Sequence, residues 1–231
     1  MILAAALGDM PIGRVILGND VSDHFAPVWD DFNRSDRDLD ADGTWVDCGP
    51  SVDYRACIEA GKLRINIPDG LSTAFERVSY MRYEKARAAD NDGHIECQVA
   101  ARGDYWTTPT GESGYATGVF AKVPADSFND GVGIYLRASR LFLAVRRNGA
   151  DRLVADFGNF AVGDIIRCNF AGPTYTMYCK GQKRGSWSDG SGQVATSDSH
   201  RSLGIRVHGA KEASGTGPRR FSPALDYVEY A

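Results

Sequence analysis

Apolar and polar residues alternate with a period of two along most of the chain, the spacing of a half-buried β-strand. In His94-Ile95-Glu96-Cys97-Gln98-Val99 the residues Ile95, Cys97 and Val99 share one face, and His94, Glu96 and Gln98 the other. That is a strand with one wet side. Similar runs cover 118–123, 132–138, 141–147, 153–157, 164–170, 175–180 and 203–208, with further strands over 43–47, 62–67 and 78–83. Turn signals separate them: Phe128-Asn129-Asp130-Gly131, Arg147-Asn148-Gly149, Gly158-Asn159, Gly172-Pro173 and Ser188-Asp189-Gly190-Ser191-Gly192. No stretch keeps a helical period over three turns; residues 84–89 come nearest, and Asn91-Asp92-Gly93 stops them.

The first strand of this series is Val28-Trp29-Asp30-Asp31-Phe32, which runs into a turn at Asn33-Arg34-Ser35-Asp36. A second apolar and acidic run, Ala224-Leu225-Asp226-Tyr227-Val228-Glu229-Tyr230, closes the chain, and pairing of these two runs would bracket one domain. Trp29 and Trp45 lie in apolar strands and are assigned to the core. More than ten short strands with hairpin-type turns predict an all-β fold, an antiparallel jelly-roll β-sandwich over 28–231. Residues 1–27 read instead as an extended N-terminal attachment arm, because its two short apolar pieces, each closed by a glycine, have no third strand of their own. Met1 to Leu7 has no basic residue ahead of it and meets Asp9 at once, so it is not read as a secretion signal.

Composition narrows the function more than the fold. The 231 residues suit one large β-domain, and 26 basic against 30 acidic residues give no basic surface for nucleic acid. No apolar run approaches the length of a membrane span, about 18 residues. The five cysteines, Cys48, Cys57, Cys97, Cys168 and Cys179, are odd in number and form no C-x-x-C pair, which favours free thiols, with Cys48 and Cys57 the one tempting bridge.

Two constellations carry candidate chemistry. Asp38-x-Asp40-x-Asp42-Gly43 has the spacing at which alternate carboxylates converge on a hard cation such as Ca²⁺, but Gly49 stands where an EF-hand needs its bidentate glutamate. A solvated acidic turn is the competing reading, and no other cofactor is expected. Tyr105 and Trp106, in Gly103-Asp104-Tyr105-Trp106-Thr107-Thr108-Pro109, and Trp187, in Gly185-Ser186-Trp187-Ser188-Asp189-Gly190, are aromatics in polar settings of the kind that stack on sugar rings. Their alternative role is to cap the sandwich or pack on a neighbouring subunit. There is no G-x-S-x-G, no H-E-x-x-H, and the four histidines are scattered.

Asp30-Asp31-Phe32-Asn33-Arg34-Ser35-Asp36 with Gly43-Thr44-Trp45, Gly118-Val119-Phe120-Ala121, Gly133-Ile134-Tyr135-Leu136, the run 141–147 and the closing Leu225-Asp226-Tyr227-Val228 resembles concanavalin A-like, laminin-G-like jelly-roll domains. The version it is most similar to is that of minor tail proteins of phages infecting actinobacteria, whose leaders the glycine-punctuated stretch from Leu7 to Gly18 also resembles. The resemblance implies a non-enzymatic structural component of a virion tail tip, assembled in the host cytoplasm. It further implies contacts to other tail proteins through the arm, self-association in the particle and binding of host cell-wall glycan. The fold also hosts carbohydrate-active enzymes and cellular lectins, which are the alternatives. Hydrolases of this fold use a Glu-x-Asp-x-x-Glu run; the nearest match is Ala224-x-Asp226-x-x-Glu229, which lacks the first glutamate. No catalytic residue is assigned.

Overall fold

The computed structural model describes residues 27–49, 53–68, 74–108, 111–212 and 217–231, without the side chains of 105–108 and 111–113. The arm expected over 1–27 therefore lies outside the described residues, apart from Pro27. Regular structure among the described residues is all strand. In chain order come β1 (Val28–Asp30), β2 (Arg37–Asp38), β3 (Trp45–Asp47), β4 (Ala56–Glu59), β5 (Lys62–Ile65) and β6 (Phe75–Tyr83). Next are β7 (Gly93–Ala101), β8 (Tyr105–Thr108), β9 (Gly111–Gly114), β10 (Ala116–Val123), β11 (Gly131–Arg137), β12 (Arg140–Arg147) and β13 (Ala150–Asn159). The last are β14 (Ile165–Ala171), β15 (Thr174–Cys179), β16 (Gln182–Ser188), β17 (Ser202–Lys211), β18 (Arg219–Phe221) and β19 (Ala224–Tyr230).

Two antiparallel sheets pack face to face. The nine-stranded sheet runs β16-β15-β14-β7-β19-β5-β4-β2, with β1 added on β19. The eight-stranded sheet runs β13-β12-β11-β10-β17-β6-β3, with β18 added on β17, and β8 and β9 form a separate hairpin. As the sequence predicted, the opening and closing runs pair: Val28 lies opposite Tyr230, Trp29 opposite Glu229 and Asp30 opposite Val228. The Asn148-Gly149 turn joins β12 to β13 with both residues at positive φ, 51° and 79°, the conformation of a two-residue hairpin of type I′. Residues 84–89 contain no helix; Ala88 is buried there and its N–H donates to the Arg201 carbonyl, so tertiary packing overrides a weak local preference.

Alternation decides which side chains meet between the sheets. In β14 the residues Ile166, Cys168 and Phe170 are buried while Ile165 and Asn169 are exposed, and β15 buries Tyr175, Met177 and Cys179. Facing them across the core are Val119 and Ala121 of β10, Ile134 of β11, Leu143 of β12 and Ile205 of β17. The eight-stranded sheet is also buried on its other side, where Phe120, Phe128, Tyr135, Phe142 and Ala144 form a second apolar cluster. Phe128 comes from the loop after β10 and lies so close over Gly204 that a Cβ there would sit 2.7 Å from its ring. The bare glycine is what lets the ring settle on the sheet.

The stretch after β1 is pinned by a buried carboxylate. Asp30 accepts two hydrogen bonds from Arg34, at 2.5 and 2.9 Å, one from Trp45 Nε1 at 2.7 Å and one from the Phe32 N–H at 2.9 Å. Phe32 is fully buried at φ 51°, a backbone conformation that costs energy in a non-glycine residue and needs such support. All five cysteines are free; burial pushes the Cys57 and Cys168 thiols up to about 12, so neither forms thiolate near neutrality.

Candidate functional site

The two outer faces of the sandwich differ in kind. On the eight-stranded sheet, Arg146 and Arg206 are almost fully buried around Asp151, with Arg146 Nη1 at 2.6 Å and Arg206 Nε at 3.1 Å from its two oxygens. Arg146 lies 4.1 Å over the Tyr80 ring and donates to the Phe128 carbonyl, and Arg206 lies 5.3 Å from the Tyr135 ring centre. Aromatic and guanidinium planes stacked in this way fill the face, and both oxygens of Asp151 are engaged.

Among the described residues nothing covers the outer face of the nine-stranded sheet around β1. Trp29 is 50% exposed, correcting its assignment to the core. Val28 and Asp30 point inward, so the period of two turns Trp29 outward, where sequence hydrophobicity alone misreads it. Its ring stacks on Tyr227, centroids 4.6 Å apart and 24° from parallel. Directly opposite Trp29 on β19 is Glu229, and opposite Glu229 on β7 is Glu96. Glu96 accepts from Tyr227 Oη and Arg167 Nε, each at 2.6 Å. Partial burial and that donation to Glu96 hold the Tyr227 phenol well above its usual range. Glu229 is a quarter exposed, with His94 Nε2 at 3.8 Å. Burial and the neighbouring Arg167 charge lower the His94 pKa against the pull of Glu229 and Glu96, so His94 is neutral at pH 7. Ile165, 40% exposed, adjoins this group: it faces Gln98, which faces Tyr227.

This arrangement offers a rigid aromatic surface, a free carboxylate beside it and a second carboxylate locked by two donors. Chemically it can stack on an apolar ring face while accepting hydrogen bonds from hydroxyls at its rim. Asp226 sits at a bulge in β19, between Leu225 opposite Val99 and Tyr227 opposite Gln98, and itself has no residue directly across from it on β7.

The residues singled out by sequence fall elsewhere. Trp187 is not in a loop but on β16, opposite Tyr175, and its half-buried indole packs against the main core with ring centroids 5.6 Å apart. As an edge strand exposed along most of its length, β16 has no clean alternation to read. Tyr105 and Trp106 lie on the β8–β9 hairpin, a different sheet from that of Trp187, and their side chains are outside the described residues. Asp38, Asp40 and Asp42 are not brought together around a cation position. Asp40 pairs with Arg55; Asp42 pairs with Arg37 at 2.7 Å and Arg34 at 3.5 Å and accepts from the Thr44 N–H; Asp38 is exposed on β2. Burial alone would raise the Asp42 pKa, but the Thr44 hydrogen bonds and the arginines hold it below the ordinary carboxylate value. No group of three or more potential metal ligands occurs among the described residues.

No family model matches the chain, and no curated protein matches it. Solved structures resemble it. A β-glucanase from Bacillus licheniformis superposes with a TM-score of 0.52 at 11% identity, over 89% of this chain and 97% of that one. A prokaryotic β-1,3-1,4-glucanase derived from a mouse hindgut metagenome gives 0.55 at 10% identity, over 89% and 99%. A carbohydrate-binding module from Bacillus subtilis gives 0.50 at 11% identity, over 78% and 93%. At these identities the likeness establishes architecture: the chain is an all-β jelly-roll sandwich of the concanavalin A-like kind.

Proposed function

We propose that this protein is a non-catalytic carbohydrate-binding β-sandwich whose binding surface is the open face around Trp29. The observation that carries the reading is the half-exposed indole, held flat on Tyr227 with Glu229 directly across from it. A sugar's C–H face stacks on such a ring, and the adjacent carboxylate takes its hydroxyl hydrogens. Solved relatives of the same architecture, named as glucanases and as a carbohydrate-binding module, are consistent with a glycan ligand.

Binding without hydrolysis is favoured because a retaining mechanism needs one carboxyl group kept protonated by burial beside an ionised nucleophile. Glu229 stays a quarter exposed rather than enclosed, and Glu96 is occupied by Arg167 and Tyr227. The finer role, a minor tail component that reaches other tail proteins through residues 1–27 and presents this face to host cell-wall glycan, rests on the sequence resemblance. The test is a glycan array run with the wild-type chain and with Trp29→Ala, together with a reducing-sugar assay on bound polysaccharides. Binding that disappears with Trp29→Ala, without sugar release, supports the proposal. Unchanged binding by the variant, or steady release of reducing ends, sinks it.

A further inference from the structure

Across the open face the strand registers assemble a continuous line. Trp29 of β1 is opposite Glu229 of β19, Glu229 opposite Glu96 of β7, Glu96 opposite Arg167 of β14, Arg167 opposite Tyr178 of β15, and Tyr178 opposite Lys183 of β16. The inward neighbours of the first five, Val28, Tyr230, Cys97, Cys168, Met177 and Cys179 among them, are buried, so those five project from the outer face, and exposed Lys183 continues the line opposite Tyr178 past a bulge in the β15–β16 pairing. A second line one pleat away is neutral: His94, Asn169, Thr176 and Ser186 lie in register, and the Thr176 and Ser186 hydroxyls are 3.0 Å apart. The surface is therefore a track, with an aromatic at one end, hydrogen-bonding groups of both signs along it and a rail of hydroxyl and amide groups beside it.

Resting on the carbohydrate reading above, we infer that this track takes an internal stretch of an extended polysaccharide lying across the strands, rather than a chain end. Neighbouring strands are about 4.8 Å apart, so the six positions span about 24 Å. Successive sugars of an extended chain advance by about the same distance as one strand spacing. The five strands from β19 to β16 then each present one polar group per sugar, with Trp29 as the stacking platform at one end, and about five sugars fill the line. Among the described residues no wall closes either end: Trp29 is half exposed and Lys183 is exposed on the edge strand. A face without an end wall does not select a terminus.

The test is calorimetry on the full chain with ladders of one to eight units of gluco-, manno-, galacto-, arabino- and chito-oligosaccharide. For the ladder that binds, affinity should rise about tenfold or more from dimer to pentamer and level off beyond it, as successive contacts add without new rigid-body cost. Lys183→Ser, on the exposed edge, and Tyr178→Ala should each weaken the pentamer severalfold while leaving the dimer unchanged; Trp29→Ala should abolish both. Melting curves of the three variants confirm that they are folded. Binding that is intact but independent of length, or a pentamer indifferent to both Lys183→Ser and Tyr178→Ala, overturns the track and leaves the Trp29 site standing. If no ladder binds, the carbohydrate reading itself falls and the track with it.

Discussion

Replacing Asp30 with alanine tests how the start of the domain is held. The carboxylate is buried and accepts four hydrogen bonds, from both Arg34 terminal nitrogens, Trp45 Nε1 and the Phe32 N–H. Trp45 is 1% exposed, so its indole N–H would have no water to turn to, a loss of about 1 to 3 kcal/mol. Arg34, with 23% of its side chain exposed, can recover solvent, and its contribution is discounted to about 1 to 2 kcal/mol. Loss of the Phe32 bond at a left-handed position adds about 1 kcal/mol. The total, about 3 to 6 kcal/mol, is a large part of the roughly 5 to 15 kcal/mol available to a folded domain. In a chain of this size it should lower Tm by about 6 to 24 °C, read by differential scanning fluorimetry and by urea unfolding at constant m-value. Trp45→Phe, which removes the indole donor, should cost clearly less in the Asp30→Ala background than alone, with a coupling of about 1 kcal/mol or more. Asp31→Ala, whose exposed side chain caps only the Asn33 N–H, is the control and should fall within about 0.5 kcal/mol of wild type. An Asp30→Ala protein within about 1 kcal/mol of wild type would refute the reasoning.

Stability should fall on acidification between about pH 6.5 and 4, and His208→Gln should flatten that slope. Burial and Arg206 lower the His208 pKa to about 4 despite the Glu76 contact, so the unfolded chain takes up the proton first; the full effect approaches about 3 kcal/mol at pH 4. An unchanged slope in His208→Gln contradicts this. Below pH 4 the depressed carboxyls of Asp164 and Asp189 add a further loss in the same direction, checked by the acid midpoint of unfolding in Asp189→Asn. Gly133→Ala should cost about 3 kcal/mol or more, since its Cβ would lie 1.9 Å from the Val119 carbonyl oxygen, backbone that cannot step aside. Gly158→Ala, at positive φ in open space, should cost about 1 kcal/mol; equal costs by denaturant titration would sink the steric argument. Because arginines neutralise Asp40 and Asp42, neither Ca²⁺ nor EDTA should move Tm by more than about 1 °C, and a clear rise with Ca²⁺ would restore the metal loop.

The alternation of β14 and β15 was legible because each buries one face and leaves the other partly exposed, that of β7 although Arg167 and Tyr227 cover Glu96 on its outer face, and the Asn148-Gly149 turn because a type I′ hairpin strongly prefers that pair. β16 was missed because an edge strand exposed along most of its length leaves no burial pattern in its residues. The ion pairs of the acidic loop were not legible because spacing in sequence reports which carboxylates lie near each other, not which arginines arrive from elsewhere. Arg55 reaches Asp40 from fifteen residues away, and no local motif announces it. The open face was invisible for a similar reason: Trp29, Glu229, Glu96 and Arg167 come from four strands that are neighbours only after β1 and β19 have closed the sheet.

The buried and exposed members of the first strand are two consequences of one constraint. A three-residue strand on the margin of a sheet has little of its own to fix its phase, and a shift of one residue would bury Trp29 and expose its neighbours. Paired among the described strands with β19, β1 is held in phase from inside by Asp30, whose carboxylate can meet Trp45 and Arg34 only when it points into the sandwich. The indole is then forced outward onto Tyr227. It follows that Asp30 positions the proposed binding surface without touching a ligand. At temperatures where Asp30→Ala remains folded, Trp29 fluorescence should be more quenchable by acrylamide and glycan affinity should drop several-fold, whereas Asp31→Ala should change neither. A loss of stability in Asp30→Ala with Trp29 and binding undisturbed would show that the strand's phase is fixed by its pairing with β19 instead.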